Sequence, residues 1–335
     1  MKRPDPFLSA LIGAVLLATF LPCPHAYQGA LNHLTSLLIM FMFFFQGAKL
    51  QRSALWESLR DWKVQGCALL ATFVVFPLIG VALYGLCHVA GMLPYLTPKL
   101  WTGLLFVCCL PSTVQSSIAL TSIARGNVPA AICAATVSNI VGIFATPLLV
   151  ALLLPAGAQA GGSAGGLQTI IDIARELLLP FVAGQAVQPW LGPIVRKHKI
   201  LLKFTDQGSI IVMVYAAFST AVLEGLWHRV PWQDFVLVAL FCTVLLAIML
   251  TLTDLAGRAM GLPRGDIIAL QFCGSKKSLS TGIPMASVIF PHGAGVVELP
   301  LLIYHQIQLY VGATLARHYA RKLARKEGAQ AKPQP

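Results

Sequence analysis

The stretch Leu110-Pro111-Ser112-Thr113-Val114-Gln115-Ser116-Ser117 places a proline and five hydroxyl or amide residues inside a mostly apolar run from Leu100 to Ala124. A proline has no backbone N–H, so it kinks or ends a helix and leaves a carbonyl of the preceding turn unpaired. A similar interruption, Gly274-Ser275-Lys276-Lys277-Ser278, divides the apolar run from Asp266 to Phe290. The two stretches predict two helices that each break near their centre.

The composition indicates that lipid is the solvent for most of the chain. Of its 335 residues, 57% are hydrophobic and 11% are charged, and the mean hydropathy is +0.75. A soluble domain carries about 25% charged residues, so this chain could not cover a surface that faces water. A membrane span needs about 20 mostly apolar residues, which leaves room for about ten spans with short connections.

We predict ten transmembrane helices in two sets of five. The first set is Phe7–Leu21, Ala30–Ala48, Val64–Gly91, Leu100–Ala124 and Val128–Pro155. The second set is Leu167–Val187, Phe204–Trp227, Phe235–Gly257, Asp266–Phe290 and Val296–Ala320. The first run resembles a signal peptide, but no small-residue cleavage site follows it, so it is predicted to be the first transmembrane helix.

The two sets are predicted to be inverted repeats in an all-α membrane protein. An odd number of helices per set makes the second set run opposite to the first, and the two breaks lie 163 residues apart. Matched interruptions of this kind are typical of transporter binding sites. The predicted units are a first five-helix repeat (1–155), a Gly-rich outer loop (156–166), a second, inverted five-helix repeat (167–320) and a basic cytoplasmic tail (321–335).

The basic residues follow this arrangement. Nineteen of the 24 Lys and Arg residues fall in the termini and the alternate loops predicted to be cytoplasmic, so both termini are predicted to be cytoplasmic. We expect a multi-pass protein of the plasma membrane, or of the inner membrane if the source is bacterial. The net charge of +12 is not interleaved with aromatic residues, and no nucleic-acid partner is expected. Seven of the eight cysteines lie in apolar runs without CxxC or His-rich clusters, so neither a metal site nor a redox pair is supported.

The fourth-helix break is predicted to bind substrate or a coupling ion. Dipoles and unpaired backbone groups at the ends of half-helices point at whatever is bound there. The alternative is that the hydroxyl groups bond their own helix or pack between helices. The candidates are Pro111, Ser112, Thr113, Gln115, Ser116 and Ser117.

The adjacent lysines Lys276 and Lys277 are the strongest single signal. A charge at the bilayer centre costs about 2.5–3.5 kcal/mol even on the lenient insertion scale, so two of them would not persist facing lipid. Neighbours on a regular helix point about 100° apart, so both can face inward only if the backbone breaks there. The alternative is that one or both extend to the membrane interface. Ser275 and Ser278 flank the pair as further candidates.

Further candidates lie on the fifth and tenth helices. The candidates are Asn127, Thr136, Ser138, Asn139 and Thr146 on the fifth helix and His305, Gln306 and Gln308 on the tenth. Asn139 and His305 are predicted to face the bundle, since an amide or imidazole is costly in lipid. A lone intramembrane histidine is more often an interhelical hydrogen-bonding group than a proton carrier. Asp172 has helical-neighbour spacing to Arg175 and Glu176, which predicts an intrahelical ion pair.

The chain resembles the bile acid:sodium symporter family (solute carrier family 10), in the branch of its seventh vertebrate member and bacterial relatives. The motifs are Gln46-Gly47-Ala48-Lys49-Leu50, Cys109-Leu110-Pro111, Arg125-Gly126-Asn127-Val128, Lys277-Ser278-Leu279 with Gly282-Ile283-Pro284, and Pro300-Leu301-Leu302-Ile303-Tyr304-His305. The resemblance covers nearly the whole chain. It implies a panel domain and a core domain, with the fourth and ninth helices crossing at their broken centres and the substrate bound between the domains.

The same resemblance implies departures at the sodium sites of the family. The position of the shared ninth-helix Glu falls at Cys273, that of the downstream Gln at Lys277, and that of a third-helix Gln at Thr72. Sodium prefers several hard oxygen ligands, usually with a carboxylate. We therefore expect a lysine ammonium to take the electrostatic role of the coupling ion, which makes transport sodium-independent or coupled to protons. A weak sodium site at Ser116, Ser117 and Thr72 is the alternative.

The expected function is secondary active transport of a small organic anion, without an organic cofactor and with Na+ or H+ as the candidate coupling ion. One alternative is a regulatory membrane protein that keeps the transporter scaffold without moving solute, and another is a sodium-coupled, bile-acid-like symporter. A membrane enzyme with a Ser-Lys pair is not expected, because no GxSxG or HExxH motif is present. A primary pump is not expected either, because the chain has no GxxxxGK[ST] phosphate loop.

Overall fold

The computed structural model describes residues 6–49, 62–154, 174–290 and 293–330, and within these ranges all regular structure is helical. The helices of the first half are α1 Pro6–Phe20, α2 His25–Lys49, α3 Trp62–Leu70, α4 Phe76–Val89, α5 Pro98–Cys109, α6 Val114–Ile123 and α7 Val128–Leu153. Those of the second half are α8 Leu179–Ala186, α9 Gln188–Lys197, α10 Lys199–Leu223, α11 Leu226–Arg229, α12 Trp232–Ala259, α13 Arg264–Gly274, α14 Leu279–Ile289 and α15 Ala294–Gln330. Two π-helical turns, Ala71–Val75 and Ala174–Leu178, precede α4 and α8.

Helices dominate because a chain in lipid must satisfy its backbone polar groups internally. In the described ranges, five helical segments are long and apolar enough to cross a membrane, and a sixth results if α5 and α6 form one bent span. The five are His25–Lys49, Trp62–Val89, Val128–Leu153, Phe204–Leu223 and Trp232–Ala259. The all-helical membrane fold is confirmed. The number of ten crossings, the inverted repeat and the division into units stay predictions.

The predicted helices correspond to observed ones with shifted ends. The second helix begins at His25 instead of Ala30, and the last helix continues to Gln330 instead of ending at Ala320. The last helix therefore includes much of the segment predicted as a tail. Several predicted features lie outside the described residues, namely the Gly-rich loop 156–166, the start of the sixth helix with Asp172, the basic residues Lys2, Arg3, Arg52 and Arg60, and the last residues 331–335.

Contacts between helices form two groups. The panel group contains α1, α2, α8, α9 and α10, and its tightest contact is between α2 and α8. A Cβ atom on Gly47 would collide with the Phe181 carbonyl oxygen, and one on Gly184 would collide with the Phe44 carbonyl oxygen. Such close approach of small residues is how helices associate in lipid. The core group contains α3 to α7 and α12 to α15, and α10 of the panel packs on α14 and α15 of the core.

The connection between α6 and α7 meets the start of α13. Asn127 begins α7, and its side-chain oxygen accepts a hydrogen bond from the Ala130 N–H at 3.1 Å. Its own N–H donates to the Gly265 carbonyl at 2.9 Å, and its amide nitrogen donates to the Asp266 carboxylate at 2.6 Å. These bonds join the end of α6 and the start of α13. Each of these two helix ends lies opposite the end at which its helix breaks.

Candidate functional site

The fourth-helix break lies between α5 and α6, whose axes differ by 61°. It spans Leu110–Thr113, with the Pro111 ring in place of a backbone donor. Five consecutive carbonyls at the end of α5 find partners from other helices. Cys108 and Leu110 accept from the Lys277 ammonium, Cys109 from the Thr146 hydroxyl, Pro111 from the Ser278 N–H and Ser112 from the Asn139 amide.

The ninth-helix break spans Ser275–Ser278, between α13 and α14. Ser278 caps α14, because its hydroxyl oxygen accepts from the Thr281 N–H at 3.2 Å. The Ser278 N–H donates to the Pro111 carbonyl at 2.8 Å, so the two breaks are directly bonded to each other. We call the residues Leu110–Thr113 and Ser275–Ser278 the crossing. Both predicted breaks are therefore present, and they meet.

Lys277 lies at the centre of the crossing with none of its surface exposed. Its Nζ donates to the carbonyl oxygens of Leu110 at 2.7 Å, Cys108 at 2.8 Å and Thr72 at 3.0 Å. An ammonium group has three donors, and all three are used. The ammonium also lies 4.0 Å from the centre of the Phe76 ring, within cation–π range. Since the last carbonyls of α5 form the negative end of its dipole, they stabilise the cation.

The Thr72 carbonyl is free for Lys277 because of the π-helical turn Ala71–Val75. In an α-helix the Phe76 N–H would bond the carbonyl four residues earlier, at Thr72. Here it bonds the Ala71 carbonyl instead. The hydroxyl of Thr72 is used locally, since it donates to the Ala68 carbonyl at 2.7 Å. Thr72 thus contributes its backbone rather than its side chain to the site, and π-turns frequently occur at functional sites.

Lys276 is also buried, with 2% of its surface exposed, but it points to a different helix. Its Nζ donates to the Gln308 carbonyl at 3.0 Å and lies 5.8 Å from the centre of the Phe272 ring. A Cβ atom on Gly312 would lie 2.7 Å from this Nζ, so the glycine leaves room for the ammonium. Within the described part of the chain, neither lysine forms an ion pair. The adjacent lysines are both inside the protein, as predicted, because the backbone breaks there.

Gln308 holds the second break in place. Its Oε1 accepts from the Lys277 N–H at 2.8 Å, and its Nε2 donates to the Lys277 carbonyl at 2.9 Å. The Nε2 also lies 3.0 Å from the His305 Nδ1, so His305 contacts the lysine backbone through Gln308. One turn earlier on α15, the Tyr304 hydroxyl donates to the Ser275 carbonyl at 2.7 Å. Together these residues satisfy backbone groups that the break leaves without helical partners.

Asn139 on α7 connects both breaks. Its Nδ2 donates to the Ser112 carbonyl at 2.6 Å, and its Oδ1 accepts from the Thr281 hydroxyl at 2.8 Å. The neighbouring Ser138 hydroxyl accepts from the Ser112 N–H at 3.0 Å. The structure therefore brings Asn139 to the crossing, whereas Thr136 on the same helix is half-buried and forms no hydrogen bond with the described residues of the crossing.

The hydroxyl groups predicted as a weak sodium site bond to separate partners. Ser117 donates to the Phe272 carbonyl at 2.9 Å, and Ser116 donates to the Thr113 hydroxyl at 3.1 Å. Near them, the Cys273 thiol faces the Ala131 carbonyl at 3.5 Å, and the Ser275 hydroxyl donates to the Gln271 carbonyl at 2.6 Å. The Ser117 and Cys273 contacts join two helices, whereas those of Ser116 and Ser275 are local.

Exposure differs between the two halves of the fourth helix. Every residue from Gly103 to Thr113 is buried. On α6, by contrast, Gln115, Ala119 and Ser122 are exposed along one face. A glutamine in the middle of a membrane span is costly in lipid, so this face is expected to border a water-filled space.

Two features were not predicted from the sequence: the Thr72 carbonyl and the buried acid Glu298. Gln308 was predicted as a candidate, and its amide bonds the Lys277 backbone. The position of Glu298 within the tenth apolar run is a signal that could have identified it. Pro77, just after the π-turn, has no N–H and is a signal for an unpaired carbonyl in the preceding turn. Ser112 is fully buried, and its hydroxyl oxygen has no partner among the described residues.

Two broken helices that meet at buried polar groups, inside an otherwise apolar helical bundle, are the arrangement used by secondary transporters. The class is therefore a multi-pass membrane transporter. The chain belongs to the SBF-like CPA transporter family, whose model matches residues 5–321. This confirms the predicted resemblance to the bile acid:sodium symporter branch.

Curated relatives match over nearly their whole length. "Uncharacterized protein PA2026" of Pseudomonas aeruginosa is 48% identical over 95% of this chain and 94% of its own. "Putative symporter YfeH" of Escherichia coli K12 is 43% identical over 95% of this chain and 93% of its own. "Sodium/bile acid cotransporter 7-B" of Xenopus laevis is 27% identical over 93% of this chain and 91% of its own. The protein is a non-enzymatic carrier that acts on a small molecule in a membrane, which excludes the Ser-Lys enzyme.

Proposed function

We propose that the protein is a secondary active transporter of a small organic anion, in which the Lys277 ammonium takes the place of a coupling cation. The observation that carries this proposal is the position of Lys277 Nζ, bonded to three backbone carbonyls where two broken helices cross. In other transporters, unwound carbonyls and half-helix C-termini at such positions coordinate a coupling ion. Here a covalently attached cation holds the same kind of position.

The charge of the crossing favours an anionic substrate. Lys276 and Lys277 are adjacent and buried, and neither forms an ion pair within the described ranges. Buried charges persist only when they are compensated, and here backbone carbonyls supply that compensation as partial charges. A bound carboxylate or other small anion near the crossing would reduce the net positive charge. We therefore propose that the substrate is an anion.

Sodium is disfavoured as the coupling ion at the predicted positions. A sodium site needs several free oxygen ligands, usually with a carboxylate. The predicted positions offer no carboxylate, because Cys273 stands where the family resemblance implies a glutamate. The hydroxyls of Thr72, Ser116 and Ser117 donate to three different partners, although their oxygens keep lone pairs. Transport is proposed to be independent of sodium or coupled to protons. The names of the vertebrate relatives include sodium and bile acid, and they favour the sodium-coupled alternative.

Alternating access is proposed to expose the crossing to each side of the membrane in turn. The exposed face of α6 and the buried α5 support an opening on the α6 side, where the sequence places the cytoplasm. On the opposite side, α10 packs on α14 and α15 and closes the crossing. Movement of the panel group against the core group would exchange the open side for the closed one.

A thermal-stability screen of the purified protein against metabolite anions tests the proposal. We expect at least one anion to raise the midpoint of thermal unfolding in wild-type protein, equally in sodium and in choline salts. Lys277→Met should lose this stabilisation, while the matched control Lys99→Met, whose side chain is 48% exposed, should retain it. A ligand that stabilises Lys277→Met as strongly as wild type would contradict the assignment of the site. A partner-dependent phenotype without any anion binding would instead favour the regulatory alternative.

A further inference from the structure

Glu298 is an acidic residue buried inside helix α15, outside the crossing. None of its surface is exposed. Its Oε1 lies 3.4 Å from the Ser287 hydroxyl, which also donates to the Ile283 carbonyl at 3.2 Å. Its Oε2 has no hydrogen-bond partner among the described residues. The two oxygens of the carboxyl group therefore share a single hydrogen-bond donor, the Ser287 hydroxyl. That bond is long, and the hydroxyl also bonds a carbonyl.

The residue lies where the panel group meets the core group. Gly295 and Leu301 lie three residues before and after Glu298, on the same face of α15. The helices that contact these two residues therefore also surround Glu298. A Cβ atom on Gly295 would lie 2.6 Å from the Ala217 carbonyl oxygen of α10. Leu301 packs against Gly282 of α14. Glu298 thus sits between α10, α14 and α15, at the contact that closes the crossing on the side opposite α6.

No basic side chain of the surrounding described helices compensates this acid. Helix α14 contains no ionisable residue. On α10, from Ile210 to Leu223, the one ionisable group is Tyr215, whose hydroxyl donates to the Leu21 carbonyl at 3.0 Å.

The other three helices that pack on α15 do not supply a cation either. Helix α6 contains no ionisable residue. On α5, Lys99 lies 3.9 Å from Glu224, while Cys108 and Cys109 donate to carbonyls of their own helix. On α12, Asp234 accepts from Thr97, Arg258 pairs with Asp254, and Cys242 faces the Pro300 carbonyl.

A buried carboxylate without a cation or good donors costs far more than a neutral carboxyl group. We propose that Glu298 is a proton-binding site that is occupied while α10 covers it. When α10 moves away from α15, water reaches the carboxyl group, the O–H bond breaks, and the proton passes to that water. The step needs no other reactant. Proton binding is then linked to the closed state of the panel–core contact.

This inference rests on the proposed function only for the use of the proton in transport. The protonation of Glu298 can be measured in the absence of any transported anion. If wild-type protein bound no anion, the assignment of Glu298 as a proton-binding site would therefore still stand. Conversely, if Glu298 proved not to bind a proton, the proposed role of Lys277 would still stand.

Infrared spectroscopy of the purified protein tests the assignment. In wild type at neutral pH we expect a protonated-carboxyl C=O stretching band that shifts in deuterated water. The band should disappear in Glu298→Gln, which keeps the size of the side chain. It should remain in the matched control Glu224→Gln, because the Glu224 side chain is 40% exposed. A spectrum of Glu298→Gln that keeps the whole band would overturn the proposal.

A second variant tests the link to the panel–core contact. Gly295→Ala should push α10 away from α15, because its Cβ would lie 2.6 Å from the Ala217 carbonyl oxygen. We expect the carboxyl band to fade at a lower pH than in wild type. Gly208→Ala on α10, where nothing lies within 4 Å of the new Cβ, should match wild type. An unchanged pH response in folded Gly295→Ala would contradict the proposed release of the proton on opening.

Discussion

The backbone carbonyl oxygen of Thr72 lies 3.0 Å from the Lys277 ammonium, although the two residues are 205 positions apart in the chain. The contact exists because the π-helical turn transfers the Phe76 N–H to the Ala71 carbonyl. One irregular turn in the third predicted span thus supplies the third acceptor of a buried lysine. The family resemblance implies glutamine ligands at both positions, and we propose that the lysine and the carbonyl take their place.

We expect Thr72→Val to have a small effect, because Thr72 acts through its backbone. The substitution removes one hydroxyl bond within the same helix, which is worth about 0.5–1.5 kcal/mol. Anion stabilisation measured by thermal unfolding should match wild type. If Thr72 instead supplied a hydroxyl to a sodium ion, the variant would lose sodium-dependent stabilisation, and that result would contradict the backbone role.

Gln308→Leu is expected to destabilise the protein strongly. It leaves the N–H and the carbonyl of Lys277 buried without partners, and each unpaired group costs about 1–3 kcal/mol. The midpoint of thermal unfolding in detergent should fall well below that of wild type. Gln306→Leu is the matched control on the same helix, where the side chain is only half-buried. Equal midpoints for the two variants would show that Gln308 does not hold the break.

Gly312→Ala is expected to displace Lys276. The added methyl group would lie 2.7 Å from the Lys276 Nζ and 2.8 Å from Leu120, and overpacking of this kind costs about 1–3 kcal/mol. Gly208→Ala adds the same group to a helix with open space around it, and there the better helix propensity of alanine should give about 0.5–1 kcal/mol of stabilisation. Opposite signs of the two shifts in unfolding midpoint are predicted, and shifts of the same sign would contradict the packing assigned to Lys276.

Gly184→Ala should weaken the panel group, because the new Cβ would collide with the Phe44 carbonyl of α2. The backbone oxygen cannot rotate away as a side chain could, so the two helices must separate. Gly29→Ala on α2 meets nothing within 4 Å and serves as the control. We expect a lower unfolding midpoint for Gly184→Ala alone. Retention of the wild-type midpoint would mean that α2 and α8 are not held by close backbone contact.

The breaks and the buried lysines could be predicted because their residues violate the membrane pattern. Pro111 cannot continue a helix, and charges at Lys276 and Lys277 cannot face lipid, so the sequence allows few other arrangements. Asn139 was predicted for the same reason, since an unpaired amide is costly in lipid. Such violations identify both the helices that break and the residues that face inward.

The contributions of the backbone could not be predicted in the same way. Pro77, in the apolar run that contains Thr72, indicates a disrupted turn before it. It does not show that the Thr72 carbonyl is the one that reaches Lys277, because that depends on packing against other helices. Ser116 and Ser117 have the residue type of ion ligands, but only the structure shows that their hydroxyls are engaged with other groups. Glu298 lies near the start of the tenth apolar run, where an acid resembles an interfacial residue until its burial is known.

Uptake into proteoliposomes, with external sodium replaced by choline, tests the role of Lys277 most directly. The transported anion would be one that stabilises the purified protein, and pH gradients would be imposed separately. We predict the same uptake rate in sodium and in choline, together with loss of uptake in Lys277→Met. Strict dependence of wild-type uptake on sodium would contradict the assignment of Lys277 as the resident cation of the crossing.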